Sequence, residues 1–134
     1  MTATVPSVIP ASHLDLLERP LFAHLATTRP DGQPQVNPMW FHWDGEFVRF
    51  SNTTIRHKYR NVTANPRVAF SVNDPDQPYR YLEVRGTVER IDPDPNAAFF
   101  MQLADRYSLR MDALPPDAPH RVIYVVRPTS VSKQ

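Results

Sequence analysis

The segment from Ser51 to Asn61 has the clearest potential for chemistry, because hydroxyl side chains are followed closely by Arg56, His57 and Lys58. We predict the end of a strand, a polar loop and a short helix with these cations in its first turn. Cations there face the partly positive end of the helix, which costs roughly 0.3–1 kcal/mol each. A bound oxyanion would reverse that sign, because helix N-termini and basic side chains both bind phosphate. The alternative is a solvated basic surface, and the segment alone does not choose between the two.

The same segment predicts where this helix begins and ends. Thr53 or Thr54 is the expected N-cap, and Pro66 is expected to end the helix. Together with the Ser51 hydroxyl, the basic first turn would form a phosphate site without a glycine-rich loop. Glycine-rich phosphate loops are excluded, since the chain has only 3 glycines and they form neither a Gly-x-Gly-x-x-Gly nor a Walker motif.

The other reactive residues indicate no catalytic group or metal site of the protein's own. The chain has no cysteine, which excludes disulfides, thiolate catalysis and cysteine-based metal centres. Its 5 histidines lack metal-ligand spacing, and no Gly-x-Ser-x-Gly motif occurs. The prominent aromatic and apolar residues form either core or a cofactor platform, and burial frequencies favour core. These residues are Met39, Trp40, Phe41, Tyr79 and Tyr81.

Length and composition indicate one compact domain over residues 1–134, with residues 1–10 as a flexible arm. The net charge is +1, from 15 basic and 14 acidic residues, which argues against nucleic acid or an anionic membrane as the main partner. No apolar run approaches the roughly 18 residues of a membrane span, and the N-terminus does not resemble a signal peptide. We therefore expect a cytoplasmic protein.

Alternating apolar residues and turn signals predict a mainly β fold, a six-stranded antiparallel barrel with flanking helices. Ser12 is expected to cap a short helix near the N-terminus, and Asp94 with Pro95 to open a longer one. Pro34 and Pro38 lack the N–H that a ladder needs, so the second strand should lie at an edge. The predicted strands are 21–28, 33–43, 46–51, 68–72, 79–91 and 121–127.

Three motifs carry a resemblance to a known family. They are Asn37-Pro38-Met39-Trp40, then Phe50-Ser51 with Arg56-x-Lys58-x-x-Asn61 and Asn65-Pro66-Arg67, and finally the string from Pro78 to Gly86. They are similar to the pyridoxamine 5′-phosphate oxidase-like split β-barrel superfamily. Within it, the chain most resembles the actinobacterial deazaflavin (coenzyme F420)-dependent oxidoreductases of the B class. The similarity covers roughly residues 21–127, and residues 79–86 are its most specific part.

The resemblance implies a split barrel of the FMN-binding type that forms a homodimer, with cofactor sites in grooves between the subunits. The basic pair of the central segment matches the phosphate-binding positions, and the loop before it lies near the phosphate or ribityl chain. Residues 36–40 match the strand along the flavin-like ring, and residues 79–81 would enter from the partner subunit. The implied cofactor-binding residues are Val36, Asn37, Pro38, Met39, Trp40, Ser51, Asn52, Arg56, Lys58, Tyr79, Arg80 and Tyr81.

The activity that the resemblance implies is hydride transfer from reduced F420 to an electron-poor double bond, carbonyl or quinone of a small-molecule acceptor. The cofactor would perform the chemistry, which agrees with the lack of a catalytic side chain. An FMN-binding flavoprotein oxidoreductase of the same fold and a non-catalytic cofactor carrier are the alternatives. Vitamin-oxidising members of the family end in an arginine and histidine motif for the substrate phosphate. Nothing similar follows Arg127, so we do not expect oxidation of pyridoxamine phosphate.

Overall fold

The computed structural model describes residues 7–134 and consists mainly of one antiparallel sheet of seven strands in the order β2-β1-β5-β6-β7-β4-β3. The predicted mainly β split barrel is confirmed, with seven strands instead of six. The helices are α1 (Asp15–Glu18), α2 (His57–Ala64) and α3 (Ala98–Arg106), with 3-10 turns at Ala11–His13 and Ala118–His120. The strands are β1 (Ala23–Thr28), β2 (Pro34–Met39), β3 (His42–Trp43), β4 (Val48–Thr53), β5 (Arg67–Asn73), β6 (Tyr81–Pro93) and β7 (Arg121–Lys133).

The additional strand arises because the predicted second strand is interrupted. β2 ends at Met39 and β3 begins at His42, since the backbone of Phe41 leaves the ladder for side-chain partners. Its N–H donates to the Tyr107 hydroxyl at 3.1 Å, and its carbonyl accepts a bond from Arg106 Nε at 3.1 Å. β2 pairs only with β1, as the prolines predicted for an edge strand.

The two longest strands, β6 and β7, determine the curl of the sheet. β7 continues to Lys133, six residues beyond its predicted end, and pairs with β6 along its length. The register shifts between Arg85 and Gly86 and again between Val88 and Arg90, and such bulges bend and twist a strand pair. Gly86 is required at the first shift, because a Cβ there would lie 2.5 Å from the Arg127 carbonyl oxygen.

Aromatic rings fill the centre of the barrel. The ring centroids of Phe41, Phe50 and Phe70 are separated by 6.4, 6.4 and 5.5 Å, and all three side chains are buried. Alternate residues of β6 point into this core, as the sequence pattern predicted. Tyr124 of β7 is buried beside them, and so is Val125 on the other face of the strand.

Two predictions at the ends of elements need correction. Of the expected arm, residues 1–6 lie outside the described part, and Ile9 packs into the core instead of lying free. The helix predicted to begin at Pro95, with Asp94 as its cap, begins three residues later at Ala98. The Asp94 carboxylate still accepts the N–H groups of Phe99 and Phe100 at 3.2 and 3.3 Å. None of the helices described in residues 7–134 is both long and apolar enough to cross a membrane.

Candidate functional site

The N-terminus of α2 lies where the sequence placed its basic segment, but the predicted cap was wrong. Arg56 is the N-cap residue in extended conformation, and no side chain caps the helix. Thr53 belongs to β4, and its carbonyl accepts the Arg56 N–H at 3.3 Å. The Thr53 hydroxyl is buried without a hydrogen-bond partner in the described residues, so it does not reach the surface near the helix. The first turn of α2 therefore keeps its backbone N–H groups uncapped by side chains.

Three cations on this turn form what we call the α2 cation cluster, Arg56, Lys58 and Arg60. No carboxylate of residues 7–134 lies within ion-pair distance of any of them. Burial of the half-covered Lys58 lowers the pKa of its ammonium, and the neighbouring Arg56 lowers it further. Both effects disfavour the charged lysine unless an anion binds beside it.

A groove of about 640 Å³ runs along one side of this cluster. It includes Arg56 and Arg60 but not Lys58, whose ammonium points toward β2. The groove is therefore basic on one wall, while its remaining lining residues are mainly neutral. The full lining is Thr54, Ile55, Arg56, His57, Tyr59, Arg60, Thr63 and Ala64.

A network of amides connects Lys58 to the edge strand. Its Nζ lies 3.4 Å from Asn37 Oδ1, which also accepts a bond from Gln35 Nε2 at 2.9 Å. Asn61 in turn donates to Gln35 Oε1 at 3.2 Å and to the buried Thr27 hydroxyl at 3.0 Å. Sequence reasoning assigned no role to Gln35, although its spacing of two from Asn37 places both on one face of the strand.

A second groove, which we call the aromatic groove, has a volume of about 240 Å³ and lies between β2, β4 and α3. Trp40 stacks on Tyr107, with ring centroids 5.1 Å apart and an interplanar angle of 11°, and on Phe100 at 6.1 Å. Of the aromatic residues left open between core and platform, Phe41 is core, whereas Trp40 lines this groove. The lining residues are Phe22, Pro38, Met39, Trp40, Ser51, Phe100, Leu103 and Arg121.

Arg121 is a charged residue of this groove that sequence reasoning missed. Its Nε and Nη2 donate to the two oxygens of Asp117 at 3.1 and 3.2 Å, and its Nη1 donates to Ser51 Oγ at 3.3 Å. The guanidinium carbon lies 4.2 Å from the centroid of the Phe100 ring. The available signal was a lone arginine at the start of an otherwise apolar strand, with aspartate four residues before it.

The other predicted site residues are only partly brought together. Val36 is 61% exposed on the opposite face of β2 from Asn37. Asn52 is buried, and its amide donates to the Tyr124 hydroxyl at 3.0 Å inside the barrel. Pro38, Met39, Trp40 and Ser51 share the aromatic groove, and Asn37 meets Lys58 beside it.

The predicted residues 79–81 do not line the aromatic groove of their own subunit. Ser51 pairs with Ile123 of β7, whereas Tyr81 lies next to Leu82, the partner of Lys133. Across the sheet, however, Tyr81 pairs with Asn73 of β5, β5 pairs with β1, and β1 pairs with β2. Three strand spacings of about 4.8 Å therefore place Tyr81 roughly 15 Å from the end of β2. Tyr79, just before β6, is 86% exposed.

Arg80 is engaged within its own chain. It forms ion pairs with Asp15 at 2.6 Å and with Asp74 at 3.1 Å, and donates to the Ser12 carbonyl at 2.8 Å. Four of the bonds that its two terminal nitrogens can donate are thereby used, which leaves only Nε–H. This arrangement gives Arg80 a structural role and does not support its predicted contact with a cofactor.

This chain is similar to a known family and to solved structures. The family model described as pyridoxamine 5′-phosphate oxidase matches residues 9–134. No relative among curated proteins matches the sequence. Among solved structures, a protein named F420 reductase is 63% identical, with 94% of this chain and 100% of that chain covered and a TM-score of 0.91.

More distant solved structures share the fold. A conserved hypothetical protein from Mycobacterium tuberculosis is 23% identical over 99% of this chain and 89% of its own, with a TM-score of 0.74. General Stress Protein 26 from Bacillus anthracis is 20% identical over 90% and 93% of the two chains, with a TM-score of 0.68. Since the family match extends from the buried Ile9 to the end of the last strand, the chain belongs to the pyridoxamine 5′-phosphate oxidase family.

Proposed function

We propose that this protein is an F420-dependent oxidoreductase that transfers a hydride from reduced cofactor to an electron-poor double bond, carbonyl or quinone of a small molecule. The observation that carries the proposal is the 63% identity to a protein named F420 reductase, whose whole length is covered. Identity at that level, together with the TM-score of 0.91, supports a shared cofactor class more strongly than the shared fold does.

The donor groups of the described chain fit such a cofactor. The α2 cation cluster has no carboxylate partner in the described residues, and its helix begins with uncapped N–H groups, which together suit a phosphate. An anion there would also offset the two effects that lower the Lys58 pKa. Beside it, Met39 and Trp40 offer an apolar, aromatic wall for a ring system.

In the proposed mechanism, the cofactor when bound supplies the hydride chemistry at its ring. Lys58 and Arg56 bind its phosphate by charge-assisted hydrogen bonds, and Asn37 holds the Lys58 ammonium at the edge of β2. Gln35 orients the Asn37 amide by donating to the same oxygen that faces Lys58. Met39 and Trp40 would exclude water from the place where the acceptor meets the ring, which favours transfer between two oriented partners. No side chain of the protein has to form a covalent bond.

The proposal includes a homodimer in which residues 79–81 of one subunit approach the site of the other. Its support is that residues 79–81 match the family positions that enter from a partner subunit, and that they line neither groove of their own subunit. The highly exposed Tyr79 and the half-buried Tyr81 are the side chains proposed to cross, and Arg80 stays with its own chain. Sedimentation at micromolar concentration with cofactor present measures the assembly, and a clean monomer would contradict the shared site.

The test compares the two cofactor candidates on the same apo protein. F420 and FMN are titrated separately by absorbance and fluorescence, and reduced F420 is then assayed with menadione as acceptor. Tighter binding of F420 together with turnover is the expected result. Tighter binding of FMN would favour a flavoprotein of the same fold, and F420 binding without turnover toward a panel of quinones and enones would favour a carrier.

A further inference from the structure

Arg121 has hydrogen-bond donors that neither the fold nor the function proposed above uses. A guanidinium carries five N–H donors. Three of them bond to Asp117 and Ser51, which leaves one N–H on each terminal nitrogen without an acceptor in residues 7–134. The side chain is 15% exposed and lines the aromatic groove. Unused donors of a largely buried arginine indicate a ligand that supplies the acceptor.

The charge around Arg121 limits which acceptor this can be. Asp117 binds the guanidinium through both carboxylate oxygens, so the pair carries no net charge. This differs from the α2 cation cluster, which has no such partner among the described side chains. A carbonyl oxygen, which is neutral when it binds and gains negative charge only during hydride transfer, suits the compensated pair better than a permanently charged phosphate or carboxylate, because Asp117 lies beside it.

The walls of the groove limit the shape of the ligand. Trp40 and Phe100 stack with an interplanar angle of 28°, and Phe22 lies at the rim with 56% of its surface exposed. The rings of Trp40 and Phe100 are already partnered by each other, and Arg121 lies over Phe100. The exposed ring of Phe22 remains available, and an aromatic face favours a flat, conjugated molecule in an offset stack. The volume of about 240 Å³ is below the range typical of larger ligands, so a molecule of one or two fused rings fits.

We propose that Arg121 determines acceptor specificity by donating to a carbonyl oxygen of a small, neutral, planar acceptor of the quinone class held in the aromatic groove. Asp117 is a positioning residue that acts through Arg121. The inference rests on the proposed function. When the acceptor gains a hydride, two electrons and one proton, from the reduced cofactor, negative charge develops on this oxygen and Arg121 stabilises it. Water then supplies the second proton, and Arg121 keeps its own.

The first experiment measures binding without turnover. The protein is saturated with oxidised F420, and menadione binding is followed by calorimetry for wild type, Arg121→Gln and Arg127→Gln. Arg127 is a matched control, because it also lies over a ring, Phe47 at 4.7 Å, and pairs with a carboxylate, Glu89 at 3.0 Å, but outside the groove. We expect Arg121→Gln to bind menadione about ten- to a hundredfold more weakly, with F420 affinity within twofold of wild type. Arg127→Gln should resemble wild type in both.

The second experiment uses a specificity readout that a purely structural role would not change. Asp117→Asn removes the compensating charge and leaves the guanidinium cationic. The ratio of kcat/KM for the anionic 1,4-naphthoquinone-2-sulfonate to that for menadione should rise several-fold in this variant. An unchanged ratio with normal activity would contradict the role of Asp117.

Two outcomes would overturn the inference. One is unchanged menadione affinity in Arg121→Gln, and the other is a loss of F420 affinity in that variant with menadione affinity retained. If Arg121→Gln does not fold, Arg121→Lys replaces it. The lysine keeps the positive charge but lacks the planar guanidinium with its N–H donors, so the same loss of menadione affinity is expected. Failure of the proposed function can be distinguished from failure of this inference. If the proposed function is wrong, wild type does not bind F420, and the role of Arg121 is still tested by measuring menadione binding without cofactor.

Discussion

Two groups of cations in this molecule differ in one respect, the presence of carboxylates. Arg19 and Arg80, near the N-terminal turn, are surrounded by Asp15, Asp74 and Asp76 at 2.6 to 3.5 Å. The α2 cation cluster has no carboxylate within ion-pair distance anywhere in the described chain. The first group connects α1 to the loop before β6, whereas the second faces open grooves.

The pKa values of the two groups reflect this difference. Hydrogen bonds from Arg80 lower the pKa of the Asp15 carboxyl, and those carboxylates raise the pKa of Arg80. In the α2 cation cluster, burial and Arg56 lower the pKa of Lys58, so the charged form is disfavoured in the apo protein. Compensated charges stabilise the fold, whereas charges that the fold leaves uncompensated indicate where a ligand of opposite sign binds.

The largest effect is expected from Lys58→Ala. A charge-assisted contact to phosphate is worth roughly 1.5–3 kcal/mol, so F420 affinity should fall by about ten- to a hundredfold. Apo stability should stay the same or rise by a few tenths of a kcal/mol, because a cation leaves the positive end of a helix. Titration at low and high salt and apo melting curves measure both.

Arg110→Ala is the control for this variant, since it removes a cation whose side chain is 92% exposed and which lines neither groove. It should change neither affinity nor salt dependence. Unchanged F420 affinity in Lys58→Ala would contradict the proposed phosphate site at the N-terminus of α2.

A smaller loss of affinity is expected from Arg56→Ala. Arg56 is exposed, and exposed ion pairs contribute about 0.2–1 kcal/mol, which corresponds to a loss of about 1.4- to fivefold. The pKa of Lys58 should rise toward its ordinary value, because one of its two causes of lowering is removed. Fluorescence titration gives the affinity, and Arg56→Lys, which retains the charge, should lose less. A larger loss than for Lys58→Ala would reverse the assignment of the two residues.

Arg80→Gln tests the compensated group and should show the opposite pattern. The melting temperature of the apo protein should fall, because Asp15 and Asp74 lose their common partner. F420 affinity should remain that of wild type. Arg110→Gln is the control, since its pair with Asp112 is almost fully exposed and should not affect stability. Loss of F420 affinity at an unchanged melting temperature would instead support the predicted contact of Arg80 with the cofactor.

The smallest effect is expected from Asp74→Asn, on the stability of the protein at acid pH. The folded pKa of Asp74 is lowered, first by the backbone N–H of Asp76 and then by Arg80 and Arg19, against an opposing effect of burial. The charged Asp74 carboxylate therefore makes its full contribution to the free energy of unfolding above the ordinary pKa of 3.8. This contribution is lost as pH falls through the lowered pKa. In Asp74→Asn, stability should depend less steeply on pH below about 4. Denaturant melts between pH 2 and 5 measure this, and identical slopes would contradict it.

Much of the fold could be predicted from local patterns in the sequence. Alternation in β6 predicted its inward face, and prolines predicted the edge position of β2. The break in the strand after Met39 could not be predicted from the local sequence. It depends on Arg106 and Tyr107, which bind the backbone of Phe41 and lie more than sixty residues later in the chain. The start of α2 was misplaced because β4 extends through Thr53 by pairing with Arg121 of the last strand.

The candidate site shows the same division. The sequence by itself determined that a basic helix start follows a strand end, since the residue types and Pro66 are local features. It also determined, through motif similarity, the family that the comparisons confirm. Only the tertiary structure decided which charges are compensated, because the partners of Arg80 are separated from one another by about sixty residues of chain. The placement of Arg121 over Phe100 was decided in the same way, since burial and ion pairing depend on which strands and helices meet in space.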